Sequence, residues 1–339
     1  MSSRLPSRRT LTTGGLASVL LAGCSSPSRP EPDTSATPLG GAEPSVAPEP
    51  SAEPTGAVAS AGYAAEGLVA DAVTGLLAVG VRRPDRILVL QPETLEVVRS
   101  IRVPGSVRHL GVTATGGTVL VPNEGDDTLV EADLRTGRTR TTAVGHVPHD
   151  ATGAENGDVL VGDEFGGSMT VVRDGEVVHT FDDLDQPGGV VAVGDHAVVV
   201  DVADFSVTSY DLRSMERIGR APAGDGPTHG TLAGPDRVAV ADTRGGRLLL
   251  FSVDPLEQVA SLDLGASPYG LAGDPDSSLV WVTLTASNEV VGVDVAGDRL
   301  RVVERFPTVQ QPNTVAVFPG SSAVFVASRT AGTVQRIAR

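Results

Sequence analysis

Histidine is scarce in this 339-residue chain, with six residues in all. Three of them, His109, His149 and His229, fall at matching places in an internal repeat. His109 follows Arg108, His149 follows Pro148, and His229 follows Pro227-Thr228. Glu66 occupies the same place one repeat upstream of His109. Imidazole nitrogens with one carboxylate form a donor set for Zn²⁺ or another borderline divalent cation. The expectation is that Glu66, His109, His149 and His229 hold such an ion, zinc first. The spacing alone is no metal motif, because the four residues lie tens of positions apart. They can meet only if the fold brings the repeats around a common axis. The alternative is that each histidine hydrogen-bonds a neighbouring loop as ordinary repeat grammar.

The repeat itself is legible. The segment from Gly117 to Asp150 reads as three short strands, Thr118–Val121, Thr128–Ala132 and Arg138–Val144, with Asn-Glu-Gly-Asp-Asp and Asp-Leu-Arg-Thr-Gly turns between them. Short β-branched runs bounded by Gly, Asn and Asp are strand and turn signals. Joints of the Pro148-His149-Asp150 kind recur, starting at residues 65, 108, 148, 187, 227, 268 and 312. Their spacings are 43, 40, 39, 40, 41 and 44 residues. A period near 40 with four short strands per unit is the signature of a β-propeller blade. Seven joints predict an all-β, seven-bladed propeller with four-stranded antiparallel blades. The last unit holds only three strands, Val315–Phe318, Ala323–Ala327 and Thr333–Ile337. The segment Ala57–Tyr63 is expected to supply its fourth, closing the ring and removing the open sheet edge.

In such a ring the joints and the loops between second and third strands share one face, the top. The joints contribute Glu66, His109, His149, Asp150, His229, Tyr269 and Asn313. The second set of loops contributes Asp163, Glu164, Asp201 and Asp242, with Asn123 at the equivalent place in the second blade. These polar residues are the candidate ligand-binding positions around the channel mouth. Carboxylates at such places also accept backbone N–H groups in turns, and that structural role is the expectation for most of them.

The run Val121-Pro-Asn-Glu-Gly-Asp-Asp-Thr-Leu, then Asp133-Leu-Arg-Thr-Gly, then Pro148-His149, resembles the YVTN-repeat propellers. Their repeat reads V-x-N-x-x-x-D-T-V, then D-x-x-T-G, then a P-x-G joint. The likeness covers roughly residues 57–339 and implies the propeller fold. It says little of function, because these propellers serve many roles.

Residues 1–23 read as a targeting segment. Ser7-Arg8-Arg9-Thr10-Leu11 resembles a twin-arginine export signal, carried by Arg8 and Arg9. Leu21-Ala22-Gly23-Cys24 resembles a bacterial lipobox, and Cys24 is the sole cysteine. Cleavage there would make Cys24 a lipidated N-terminus. No other apolar run approaches the ~20 residues of a membrane span. The expected location is therefore the cell envelope, anchored to the outer side of the cytoplasmic membrane through lipid on Cys24. Residues 24–56 are dense in Pro, Ala, Ser and Glu, and read as an extended tether. Residues 57–339 are the propeller.

The net charge of −16 makes nucleic acid a poor partner. No G-x-S-x-G elbow and no C-x-x-C-H haem motif occurs. Six histidines are too few for a multicopper site, and a single Trp, Trp281, argues against quinone-dependent propellers. The reading is a monomeric, lipid-anchored propeller that binds an unidentified protein or small molecule, with a divalent-metal site at the channel mouth. Two alternatives stay open. One is a metal-handling protein that passes a cation to a transporter, and the other is a metal-dependent propeller lactonase or lyase.

Overall fold

A computed structural model describes residues 43–339 apart from 104, 275 and 298. Arg8, Arg9, Cys24 and the first part of the tether lie outside the described residues. Those described form seven four-stranded antiparallel sheets. Six of them are built from consecutive strands, such as Pro148–Gly153, Val159–Asp163, Ser168–Arg173 and Glu176–Phe181 from the axis outward. Inner strands of successive blades lie side by side, and that of the last (Pro312–Val317) packs on that of the first (Ala65–Asp71). The result is a closed seven-bladed propeller.

Closure follows the expected route. Ala57–Ser60 pairs antiparallel with Thr333–Ala338, in the register Ala57↔Arg336 to Ser60↔Thr333. The N-terminal strand thus covers the last blade's open edge, and each end of the propeller chain holds the other.

Position within a blade explains the composition. Second strands such as Val159–Asp163 and Ala323–Ser328 are buried at every residue, because neighbouring blades cover both faces. Outer strands meet water and are polar, as in Thr139–Ala143 (TRTTA). The core lies between blades. Trp281 is fully buried in it, packed with Val290, Val315, Val324, Val326 and Ile337 of the sixth and seventh blades. Inner strands approach so closely that only glycine fits at some positions. A Cβ on Gly111 would stand 1.9 Å from the Ala151 carbonyl oxygen.

The tether differs from its expectation over part of its length. The Ala47 N–H donates to Gln311 Oε1 at 3.0 Å, and Asn288 Nδ2 donates to the Pro48 carbonyl at 2.9 Å. The Ser45 N–H donates to Ser267 Oγ at 3.1 Å, and Gln335 Nε2 to the Thr55 carbonyl at 2.7 Å. Ala47 is buried. A Pro- and Ala-rich chain makes no ladder of its own. Its bare backbone groups therefore suit amide side chains that need partners, and Asn288, Gln310 and Gln311 supply them on the sixth and seventh blades.

Candidate metal centre at the channel head

The inner strands are irregular at their first residues, where the site is built. Pairing to the second strand skips Glu66 in the first blade, His149 in the third, Thr228 and His229 in the fifth, Tyr269 and Gly270 in the sixth, and Asn313 in the seventh. In the second blade it runs from Val107↔Asn123 straight to Gly111↔Leu120, leaving Arg108, His109 and Leu110 outside the ladder. Bulged residues are free of the alternating pleat and can be re-aimed. The repeat thus places one to three irregular residues per joint at the head of the axis.

Three histidines meet there. His109 Nε2 and His229 Nε2 are 3.1 Å apart, so one nitrogen carries the proton and donates to the other. The ring centres of His109 and His149 are 4.9 Å apart, and those of His109 and His229 are 4.4 Å apart. One ring nitrogen from each of the three lies within 4.8 Å of the others. His149 and His229 are buried, and His109 is half-buried.

Their electrostatic settings differ. Burial, then the neighbouring histidines, holds His109 well below its ordinary value. Burial likewise takes His229 down to about 3. Both are therefore neutral imidazoles with a lone pair to give. Burial is the largest single effect on His149 too, but the charge and hydrogen bond of Glu164, with the hydrogen bond of Glu124, together outweigh it and raise this histidine to about 9. His149 Nδ1 lies 2.8 Å from Glu164 Oε2 and 3.8 Å from Glu124 Oε1. Glu164 itself would rise on burial, yet the same contact takes it down to about 2. Gln186 Nε2 donates to its other oxygen at 2.8 Å. His149 is therefore protonated at neutral pH and an ion must displace that proton; the carboxylate on one ring nitrogen then orients the ring and strengthens the other as a ligand.

Glu66 departs from the expected ligand set. Its carboxylate lies 3.2 Å from Arg82, 3.0 Å from Arg108 and 3.4 Å from Arg329. Three guanidinium groups surround the carboxylate, which stands apart from the three-histidine group, so Glu66 belongs to an ionic collar around the histidines. Arg108 is the collar's centre and was not foreseen as a site residue. It also lies 2.6 Å from Glu124. By pairing, Val107 takes the place that proline holds in five other blades, so Arg108 stands where the third blade has His149.

The remaining candidates mostly close turns. Asp201 accepts the N–H groups of Asp185 (2.7 Å), Gln186 (3.1 Å) and Ala203 (3.1 Å). Asp242 accepts those of Asp225, Gly226 and Gly245 at 3.0, 2.9 and 3.1 Å, and pairs with Arg247. Asp163 accepts Ser168 and Thr170 hydroxyls at 2.8 and 2.7 Å, and burial pushes it up to about 6. Asp150 accepts the Ala151 and Val190 N–H groups, both at 2.9 Å, which ties the third blade to the fourth. Burial raises it to about 6 as well. Asn313 Oδ1 accepts the Arg329 N–H at 3.1 Å. Tyr269 differs: its buried ring stands edge-on to His229 at 4.6 Å and walls the cluster. His146, His179 and His196 take no part; His146, for example, pairs with Asp127 at 3.1 Å near the surface.

Two spaces of unequal size meet the cluster. Below it, a cavity of about 550 Å³ runs along the inner strands and includes His109, His229, Asp150 and Asn313 in its lining. Above it, a space of about 30 Å³ lies among Glu43, Arg108, His149, Glu164, His229 and Tyr269.

No protein-family model matches the chain, and no curated protein sequence matches it. Solved structures do resemble it. Virginiamycin B lyase from Staphylococcus aureus superposes with a TM-score of 0.72 at 13% identity, covering 85% of this chain and 100% of that one. Hydrazine synthase of Kuenenia stuttgartiensis gives 0.71 at 16%, covering 80% and 94%. A β-propeller domain of Myceliophteria thermophila gives 0.67 at 14%, covering 84% and 100%. At these identities the likeness is one of fold.

Proposed function

We propose that this protein is an extracytoplasmic, lipid-anchored propeller of YVTN-repeat type that binds a divalent cation, Zn²⁺ first, through His109, His149 and His229, and acts as a ligand-binding module. The observation that carries the reading is the convergence of one nitrogen from each histidine within 4.8 Å at the head of the channel. Three nitrogen donors are the usual protein share of a zinc site that keeps one position for an outside ligand. Glu164 supports it by holding His149. Export and anchoring rest on Arg8, Arg9 and Cys24 in the sequence.

A three-histidine ion with an open position can hold a ligand, pass on the cation, or polarise a carbonyl. The carboxylates nearest the three histidines, Glu124 and Glu164, are engaged in charge pairs with Arg108 and His149. Binding is therefore the reading favoured over lactonase or lyase chemistry. Titration calorimetry with Zn²⁺, Co²⁺, Mn²⁺ and Ca²⁺ tests it. The wild type should take up one equivalent of Zn²⁺ or Co²⁺, and a His109→Ala, His149→Ala double variant none. Equal binding by the two proteins would sink the reading.

A further inference from the structure

The histidine cluster divides two approaches that are unequal in size and chemistry. From the top the space is small, about 30 Å³ against about 550 Å³ below. Its lining includes the His149–Glu164 pair at 2.8 Å and Arg108, which itself pairs with Glu124 at 2.6 Å, and Glu43 reaches the same space. Glu43 precedes the segment that Ser267, Gln311 and Asn288 fasten to the blades. A molecule approaching from above would meet these partly buried charge pairs before it reached the histidines. Separating one partner from a buried pair is strongly destabilising.

From below, the cavity of about 550 Å³ leads to His109 and His229. It is within the size range of small-molecule sites. Its lining includes Ala114 and Leu232, both exposed at the far ends of their blades' inner strands, so it opens on the face opposite the joints. Apart from the two histidines, Asp150 is the one titratable residue in the lining, and backbone N–H groups hold both its oxygens. No arginine lines it. Along its length a charged guest would lose its water without gaining a partner, and would meet a counter-charge only at the ion itself. Each inner strand pairs on one side only, so the wall also presents free backbone donors and acceptors.

We propose that the three-histidine centre receives its outside ligand through the channel, from the face opposite the joints, and that this ligand is a small uncharged molecule offering one oxygen or nitrogen to the ion. The inference rests on the metal reading above and deepens it. It reverses the expectation that the joint face is where ligands arrive. The top is the narrower end, where charge pairs surround the histidines and the strap begins at Glu43.

The test uses the full chain loaded with Co²⁺, whose visible spectrum reports its coordination, and imidazole at pH 8 as the probe. Two separate variants obstruct the channel at different depths, Thr152→Phe on the inner strand of the third blade and Ala114→Trp at its exposed rim. A third protein has residues 43–48 replaced by glycine and serine. Circular dichroism and the Co²⁺ spectrum before imidazole confirm fold and site in each. Imidazole should change the wild-type spectrum. Its rate of binding should fall tenfold or more in at least one obstructed variant, and stay within twofold in the strap variant. Faster binding in the strap variant with no effect of either obstruction would overturn the inference. So would a wild-type Co²⁺ spectrum that imidazole leaves unchanged. Absence of any Co²⁺ spectrum would instead overturn the metal reading itself, and this inference with it.

Discussion

Asp242 and His109 stand in the same ring of loops, yet their polar atoms meet different partners. The carboxylate of Asp242 accepts three backbone N–H groups and pairs with Arg247. Asp201 is held in the same way by its own joint. These aspartates are used up by the scaffold. The histidines are turned toward each other, with His109 Nε2 and His229 Nε2 at 3.1 Å. Two neutral imidazoles share a single hydrogen bond, so the pair keeps a lone pair to spare. Position in the repeat therefore does not tell structure from function. What tells them apart is whether the scaffold already satisfies the side chain.

The comparison can be broken most forcefully at Asp242. Asp242→Ala leaves several buried N–H groups and Arg247 without their acceptor. Since each such loss costs about 1–3 kcal/mol, the metal-free protein should lose on the order of 4 kcal/mol in denaturant unfolding. The His109→Ala protein should stay within about 1 kcal/mol of wild type, because it loses one shared bond and little packing. Similar losses in the two variants would erase the distinction.

The histidine side is sharpened by mass action. Wild type should gain about 2.7 kcal/mol of stability at a hundredfold excess of Zn²⁺ over its dissociation constant. The His109→Ala, His149→Ala variant should gain nothing in the same thermal melts.

A pH series separates the aspartates further. Burial lifts Asp163 from 3.8 to about 6 in the folded state. The folded protein therefore holds this proton more tightly than the unfolded chain does. The resulting stabilisation is fully present below pH 4 and is lost as pH rises through about 6. Stability of wild type relative to Asp163→Asn should thus fall by about 2 kcal/mol between pH 4 and 7. A difference that stays flat over this range would show that Asp163 ionises without cost.

The smallest effect is expected at Glu164. Glu164→Gln keeps the shape and removes the charge that holds His149. Zn²⁺ affinity should fall about tenfold, as for other carboxylates that orient a metal-bound histidine. Unchanged affinity in calorimetry would make the pair a matter of folding alone.

Much of this was legible in the chain. The joints spaced near 40 residues announced the blades, and the three-strand final unit announced that Ala57–Tyr63 would complete it, of which Ala57–Ser60 forms the strand. His109, His149 and His229 could be brought together because bulges recur at the joints. The fate of Glu66 could not be foreseen. Its partners Arg82, Arg108 and Arg329 come from three different loops, and no local pattern links them. The docking of residues 45–48 was hidden for another reason. It is made largely by backbone groups, which every sequence carries alike.

The central claim is that three imidazoles share one ion. X-ray absorption fine structure of the Zn²⁺-loaded protein measures it directly. The account predicts a first shell with three imidazole nitrogens at about 2.0–2.1 Å and one further light atom, reduced to two imidazoles in His229→Ala. A wild-type shell made mostly of carboxylate or water oxygens, unchanged by His229→Ala, would contradict it.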